Sequence, residues 1–513
     1  MDKKTRTEYS MRNSMVAFVC KILVLIFAYA SRIVFIRVLD VASTGAYGLF
    51  NNILIIFSLN SLGIDTALAF MLYIPLAEKD KLKQQVLIRA FRHVHLMIGA
   101  IVTVASAVLY FMLPVFSAES AEIPNIGLIF WLFAGNVILG YVQSHKQIIL
   151  LADQQNYIND LFESGQMILQ YIIQIVILLT TQSFVLYSLV FFIMIIPKNL
   201  LSAAYTTRRY PHLKERVKAS LDPREKVIMR KNIWAILIRK SGIQLLQFTD
   251  TLILSGTFGL LTMARYANYS LIITSVCQLV EKLVTGIMGS VGNLGVTTEK
   301  DKVEDVFNAS LMLTCIFYGI VSIALFVVLG PFIEMSFGNV YVFSVEITLV
   351  LCINLYIKGI RVVTNVFRNS LGLFRQARYM GFLEAAVNVG FSLGAIALFG
   401  EVGIFIGTTL CMLSVPVWLE PLALYRDYFK KSLWYYFLRL GAYSLVIAVC
   451  WAASSFACGF IGGPLLLQFV LKGVVSVVIS IALIILFFHP TKEFKLIKSS
   501  GLSILKKKIK KAK

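Results

Sequence analysis

The side chains of this sequence that could do chemistry are charged residues inside long apolar segments. The cations Arg32, Arg239, Lys240, Lys358 and Arg361 each lie well inside such a segment. A charge at the centre of a bilayer costs roughly 2.5–3.5 kcal/mol on insertion scales, so a charge kept there is a candidate for function. The alternative is that the long side chain reaches back to the interface, which becomes harder with depth. All five are therefore candidates for an interior binding site, and Lys358 and Arg361, three residues apart, are predicted to share a helix face.

Three acids are candidates for gating or coupling: Asp65, Asp250 and Glu281. Arg32 and Asp250 fall at nearly equivalent positions of the two halves if an internal repeat with an offset of 219 residues holds. A cation in one half facing an acid in the other predicts a gate or coupling pair, and a structural ion pair between packed helices is the alternative. Asp65 is a candidate for a proton- or cation-responsive group, although burial beside a basic residue explains it equally well.

Other chemistry has no candidate residues in this sequence. No P-loop, HExxH motif or nucleophile elbow occurs, and the seven cysteines form no CxxC pair. His93 and His95 are two residues apart, which points them to different helix faces and argues against a metal pair. The sequence therefore predicts a protein that is not an enzyme, with no metal and no cofactor. Protons, sodium or the membrane potential stay open as the driving force.

The elements that position these charges are membrane helices. The 513 residues are 58% hydrophobic and only 15% charged, against about 25% charged in soluble proteins. The net charge of +21 could suggest nucleic acid, but the basic residues are dispersed among apolar runs instead of forming one basic face. About 20 apolar residues in helical form cross a bilayer. Fourteen such segments are predicted, at 14–39, 43–76, 94–115, 125–150, 159–180, 184–206, 232–256, 260–296, 307–330, 344–368, 382–399, 402–425, 434–457 and 464–488.

The distribution of Lys and Arg predicts the orientation of these helices. The connections between successive segments fall into two alternating sets. In one set every connection but one carries Lys or Arg, and in the other set none does. By the positive-inside rule both termini are predicted to be cytoplasmic. The final lysine cluster, 506–513, is predicted to meet anionic lipid headgroups.

A basic inner loop divides the predicted helices into two sets. A short repeat straddles this loop, with Tyr47-Gly48-Leu49-Phe50 aligned with Tyr266-Ala267-Asn268-Tyr269. Two pseudo-symmetric six-helix lobes would produce it, with two helices left over at the end. The predicted parts are an N-terminal lobe (1–206), a basic cytoplasmic linker (207–231), a C-terminal lobe (232–425), two further helices (426–488) and a basic cytoplasmic tail (489–513).

Several short motifs give this sequence a family resemblance. The motifs are Arg32–Ile36, Gly48–Leu54, Ser58–Ile64, Leu72–Asp80, Thr249–Ser255, Tyr266–Tyr269 and Ser290–Leu294. With these motifs the sequence resembles the polysaccharide-transporter flippases, which move lipid-linked oligosaccharides (O-antigen type) and belong to the multidrug/oligosaccharidyl-lipid/polysaccharide exporter superfamily. The similarity covers most of the chain in segment order, but its motifs occupy only the first, second, seventh and eighth segments. An acid is usual in that family near Ser61, whereas here the acid is Asp65.

The resemblance implies two six-helix lobes around a central cavity and a substrate of undecaprenyl-diphosphate-linked oligosaccharide. It places the protein in the bacterial cytoplasmic membrane, in envelope or extracellular polysaccharide biosynthesis, with a polysaccharide polymerase and other assembly proteins as further partners. A buried diphosphate requires paired cations, and the planar fork of Arg binds phosphate oxygens bidentately. The cations named above are therefore expected to bind the diphosphate.

Other functions remain open to the sequence. A multidrug or cation antiporter of the same superfamily would be expected to have an acidic or apolar cavity, whereas the charges inside these segments are mainly basic. A major-facilitator carrier is disfavoured because its loop signature is missing from Glu78–Lys83. A non-transporting scaffold of a glycan-assembly complex needs no cavity. A membrane glycosyltransferase would need catalytic carboxylates and a larger outer domain.

Overall fold

The protein is an all-α chain, as predicted. The computed structural model describes residues 3–58, 64–116, 119, 122–214, 221–288, 300–371, 373 and 380–497, and all regular secondary structure in these ranges is helical. The chain divides into two compact units, residues 1–267 and 268–513. The five-part division predicted from the sequence stays a prediction, and the lysine cluster at 506–513 lies outside the described residues.

The described residues of the first unit contain nine helices and most of a tenth. Polar residues cap the N-termini of two of these helices. The Asp40 and Ser183 side chains accept backbone N–H groups in the first turns of α2 (Val41–Ile55) and α8 (Phe184–Ile193). The tenth helix continues past the boundary at residue 267 into the second unit. The helices are α1 (Lys3–Val38), α2 (Val41–Ile55), α3 (Ile64–Ala77), α4 (Lys81–Phe116), α5 (Ile126–Gln143), α6 (Ile148–Ala152), α7 (Asn156–Thr181), α8 (Phe184–Ile193), α9 (Ile195–Arg209) and α10 (Pro223–Met288).

Two predicted segments of the first unit are interrupted by more than one residue. The second segment is divided between α2 and α3. The fourth is divided between α5 and α6 by a 3₁₀ turn, Ser144–Gln147, where the axis bends by 50°. The four consecutive polar residues Ser-His-Lys-Gln at this turn were the sequence signal for the bend. Interrupted helices expose backbone polar groups inside a membrane, and these need partners from neighbouring helices.

The second unit contains the remaining helices. A π-helical turn, Leu424–Phe429, follows α15, and the exposed Lys431 then pairs with Asp301 (2.9 Å) and Glu304 (2.5 Å) at the start of α11. The hydrogen bonds to these two carboxylates raise the pKa of Lys431 above its usual value. The helices are α11 (Lys300–Phe337), α12 (Val345–Ser370), α13 (Met380–Phe399), α14 (Glu401–Ser414), α15 (Pro416–Ala423), α16 (Trp434–Gly459) and α17 (Leu465–Phe488).

The predicted membrane segments fall on these helices. Within the described residues, ten helical stretches are long and apolar enough to cross a membrane, and the bent α5–α6 pair would make eleven. The second segment misses this test because it is interrupted. The seventh and eighth join in α10, where many side chains lie outside the description. A multi-pass membrane protein follows from these helices, and the number of fourteen crossings stays a prediction.

The turn predicted between the seventh and eighth segments is a single glycine. Gly259 has φ +78° inside α10, a conformation that glycine adopts without strain. The exposed Glu119 carboxylate accepts the Leu260 N–H at 2.8 Å and so caps the helix that starts there. A Cβ on Gly45 of α2 would lie 2.2 Å from the Leu260 carbonyl oxygen. The α2 and α10 backbones therefore touch directly at this turn.

Small side chains hold α16 and α17 together. The Ser454 hydroxyl donates to the Ser476 carbonyl at 3.4 Å, and the Cys450 and Cys458 thiols lie one helical turn to either side on the same face of α16. Small residues at every fourth position let two helices approach closely in a membrane. These two helices are the pair that the sequence left over after two six-helix lobes.

Candidate functional site

Arg32 is buried in the first unit, inside a cage of aromatic rings. Its guanidinium carbon lies 4.8 Å from the centre of the Tyr47 ring and 5.7 Å from that of Phe35. Tyr187 of α8 packs edge-on against Phe35, with ring centres 4.8 Å apart. Only 6% of Arg32 is exposed. A desolvated cation over an aromatic face gains about 2 kcal/mol, which offsets part of the cost of its burial.

A ladder of glutamines follows the helix beside this cage. On α7, Gln166 donates to Gln170 at 2.6 Å and Gln170 donates to Gln174 at 3.3 Å. Gln174 then donates to the Tyr187 carbonyl oxygen at 3.1 Å. Their spacing of four residues places all three amides on one face of a membrane helix. This spacing was a sequence signal for a polar helix face, and the prediction did not use it. The ladder gives α7 a polar stripe that reaches the cage around Arg32.

Asp65 belongs to a second polar group in the first unit. It lies in the first turn of α3, and its Oδ1 is 3.1 Å from Nε2 of His95 on α4. The other ring nitrogen, Nδ1, is 3.3 Å from the hydroxyl of Ser144 in the 3₁₀ turn. The His95 side chain is fully buried, whereas 29% of the Asp65 side chain is exposed. The predicted divergence of the two histidines is confirmed, because His93 is exposed and contacts the Arg89 carbonyl.

The described residues of the segment predicted to be a linker, 207–214 and 221–231, contact other helices of the first unit. Tyr210 donates to the Asp153 carboxylate at 2.6 Å, and burial together with this hydrogen bond raises the pKa of Tyr210. His212 lies 2.9 Å from the Gln84 side chain of α4, and Lys83 pairs with Glu225 at the start of α10. These contacts fix the described parts of the linker, 207–214 and 221–231, at both ends.

Arg361 lies in a buried ionic cluster of the second unit. Its Nη2 is 2.9 Å from Oε1 of Glu420 and 3.0 Å from Oε1 of Glu384. Asn365 also donates to Glu420, at 3.1 Å, and Arg368 donates to Asn365 at 2.7 Å. The side chains of Glu420 and Glu384 are only 1% and 8% exposed. Sequence analysis missed both acids, although each stands alone in an apolar segment and so carried the same signal as the cations.

Lys358 has a different environment from Arg361 although the two share a helix. Lys358 is exposed, one turn earlier on α12, and lies within electrostatic range of Cys277 on α10. Glu281, also exposed, acts on the same thiol from the next turn of α10. Tyr318 of α11 lies with its hydroxyl 4.0 Å from the Cys277 sulfur. The exposed ammonium on α12 and the exposed carboxylate on α10 therefore both lie near Cys277 in the second unit.

The structure gives the helix of the other predicted residues but not the contacts of their side chains. Asp250 lies half-buried in α10, and its suggested pairing with Arg32 stays a prediction. Arg239 and Lys240 also belong to α10, but their side chains lie outside the described residues. Among the residues that the structure describes, no group of three His, Cys, Asp or Glu side chains could hold a metal ion.

The sequence matches no family model and no curated protein. Solved structures do match it. The lipid II flippase MurJ, in an inward closed conformation, is 11% identical with a TM-score of 0.68, and the match covers 93% of this chain and 99% of that one. An inward-facing multidrug resistance MATE family transporter of the MOP superfamily is 12% identical with a TM-score of 0.60, covering 80% and 98%. The Vibrio cholerae MATE transporter VcmN, in its bent form, is 15% identical with a TM-score of 0.52, covering 84% and 100%.

These matches extend over nearly the full length of each solved protein, and all three are transporters or flippases. At identities of 11–15% they show a shared architecture and leave the substrate open. The chain therefore shares its fold with these solved flippase and transporter structures.

Proposed function

We propose that this protein is a flippase that moves undecaprenyl-diphosphate-linked oligosaccharide repeat units across the bacterial cytoplasmic membrane by alternating access. The product would enter envelope or extracellular polysaccharide, with a polymerase and other assembly proteins as partners. In this proposal both termini are cytoplasmic, and Arg32 and Lys358 attract the diphosphate. Glu281 and the pair formed by Asp250 and Arg32 contribute to gating.

The observation that carries this proposal is the caged Arg32. The guanidinium carbon of Arg32 lies 4.8 Å from the centre of the Tyr47 ring, and hydrogen bonds to phosphate use the N–H groups at the edge of a guanidinium. A guanidinium positioned by aromatic rings can bind a phosphate bidentately through these N–H groups. Tyr47, which is half-buried, and Tyr187, which is buried, supply further hydroxyl groups. A transporter of cationic drugs would gain nothing from a buried cation at this position.

Two further observations support the proposal. The match to the lipid II flippase covers 93% of this chain, against 80–84% for the two MATE transporters, and has the higher TM-score. Lys358 is exposed although it lies near the middle of a predicted membrane segment. An ammonium facing lipid there would cost several kcal/mol, so a polar passage is the favourable surrounding.

Arg361 has a different role in this proposal from Arg239 and Lys240. The two carboxylates already engage Arg361, so we assign it to the positioning of α12 instead of direct phosphate binding. Arg239 and Lys240 keep the role predicted from sequence, as cations of the same passage.

The test is flipping of a fluorescent undecaprenyl-diphosphate oligosaccharide by the purified chain in liposomes. Arg32→Ala and Lys358→Ala should each slow flipping roughly tenfold to hundredfold, because a hydrogen bond to a charged group contributes about 1.5–3 kcal/mol. Arg32→Lys should recover only part of the rate, since a point charge lacks the bidentate fork. The matched control is Arg37→Ala, which removes an exposed arginine from the same helix.

Three results would contradict the proposal. Wild-type flipping rates in both alanine variants would exclude the diphosphate site. Export of a cationic dye together with failure to move the lipid would assign the protein to the multidrug alternative. A chain that moves neither and co-purifies with a polymerase would be a scaffold.

A further inference from the structure

The buried histidine of the first unit is hydrogen-bonded at both ring nitrogens. His95 contacts the Asp65 carboxylate through Nε2 and the Ser144 hydroxyl through Nδ1. Its side chain is fully buried among apolar residues of the same core, including Phe91, Val94 and Ile98. The three residues come from α3, α4 and the 3₁₀ turn, so two of the three stand at interruptions of predicted membrane segments.

The backbone polar groups at these interruptions do not by themselves require a histidine as a hydrogen-bond partner. At the end of α2 the Tyr141 hydroxyl already donates to the Phe57 carbonyl oxygen, which supplies a partner for that part of the interrupted segment. The Asp65–His95–Ser144 chain instead runs from a partly exposed carboxylate to a fully buried ring. A path of this kind is what a proton needs to reach an interior site from water.

The geometry accepts either protonation state without movement of heavy atoms. With one ring proton, Nε2–H donates to Asp65 and Nδ1 accepts the Ser144 O–H. When one proton is added at Nδ1, the Ser144 hydroxyl rotates and its oxygen accepts the new N–H. The group then changes from a net charge of −1 to zero, as imidazolium faces carboxylate. Release of the proton reverses each of these steps.

The charged and titratable groups that face His95 come from each neighbouring element. Asp65 lies on α3, and Tyr141 on α5 packs edge-on with ring centres 6.3 Å apart. His145 of the 3₁₀ turn interacts electrostatically with His95, and also with Lys146 and with Arg92 of α4. Asp65 is the one carboxylate among these groups. It is therefore the counter-charge for an imidazolium at position 95.

We propose that Asp65, His95 and Ser144 form a proton-binding site whose loading and unloading accompany the transport cycle. The 3₁₀ turn that carries Ser144 is the place where α6 can change direction relative to α5. A change of charge at this junction gives two states with different electrostatic energies, which is the requirement for driving a conformational equilibrium. The coupling part of this inference rests on the proposed flippase function, whereas proton binding itself does not.

Proton binding is measured on the full chain in liposomes of phosphatidylethanolamine and phosphatidylglycerol, by infrared difference spectra between pH 8 and pH 5. The chain has five histidines, and isotope labelling of their rings identifies the imidazolium bands. His95→Gln should remove about one histidine's share of these bands. Asp65→Asn should remove a similar share although His95 remains, because the imidazolium loses its counter-charge. In Asp80→Asn, the matched control for an exposed aspartate, the band intensity should equal that of the wild type.

Coupling is measured as the ratio of flipping rates with and without an imposed pH gradient. The ratio should exceed one in the wild type and in His93→Gln, and should fall to one in His95→Gln and Asp65→Asn. An unchanged infrared spectrum in His95→Gln would overturn the proton site. Retention of the gradient response in both variants would overturn the coupling. A wild-type chain that flips no lipid would disprove the flippase function, while the infrared spectra would still decide the proton site.

Discussion

Replacing Arg361 separates its two possible roles, phosphate binding and internal ion pairing. Arg361→Ala removes three hydrogen bonds to carboxylate oxygens, at 2.9, 3.0 and 3.2 Å, and leaves Glu384 and Glu420 facing one another in a buried site. Removal of one partner from a buried ion pair costs about 3–5 kcal/mol, because the remaining charge has no compensation. The second unit should therefore lose stability before any effect on substrate binding can be measured.

The cost of an uncompensated buried charge also predicts which further substitutions restore the stability of the second unit. Arg361→Met combined with Glu384→Gln and Glu420→Gln removes every charge of the three-residue group, and buried ion clusters replaced by neutral residues are often as stable as the original. The triple variant should therefore recover most of the 3–5 kcal/mol. Lys358→Ala, one turn away and exposed, should change stability by less than about 0.5 kcal/mol and should slow flipping.

Thermal unfolding in detergent, followed by size-exclusion chromatography, measures these differences. A loss of 3–5 kcal/mol corresponds to a fall in Tm on the order of 10 °C for a unit of this size. Arg361→Ala should show this fall, and the triple variant and Lys358→Ala should not. A wild-type Tm in Arg361→Ala, together with loss of flipping, would refute the structural role and return Arg361 to the diphosphate site.

Two further predictions concern topology and gating. Cysteines placed at the exposed positions Asn339 and Gly462 should react with an impermeant thiol reagent in intact cells, and one at Arg224 should not; reaction at Arg224 would reverse the orientation. If Asp250 and Arg32 form a gate, Asp250→Asn should shift the distances between spin labels on the two lobes toward the state in which the pair is broken. An unchanged distance distribution would leave any contact between them as packing electrostatics.

The sequence predicted the helices well because each membrane segment carries its own signal. About 20 apolar residues in a row predict a crossing whatever the rest of the chain does, and every predicted segment falls on a helix within the described residues. The turn at Gly259 was predicted for the same reason. The interruption at Ser144–Gln147 was missed, because the apolar residues on either side were read as one segment.

The charged sites were predicted only in part. The depth of Arg361 and Asp65 inside apolar segments predicted that each has a polar partner or a function. A single sequence does not say which helices turn their polar faces toward each other. The partners Glu384, Glu420 and His95 lie 23, 59 and 30 residues from the groups they contact. Such pairs depend on the rotation of each helix about its axis, which tertiary packing decides. The same limit explains why Lys358 and Arg361, predicted to act together, have different surroundings.

The one-residue turn at Gly259 has a consequence for anything that approaches the protein from outside the cell. With the proposed orientation, several outer connections are equally brief: Leu39–Asp40, Gln182–Ser183 and Gly400 join their helices with one or two residues. Connections of this length offer almost no surface for an antibody or a phage receptor-binding protein. A large extracellular binder would therefore find little to hold at these connections, which favours small amphipathic inhibitors that enter the bilayer.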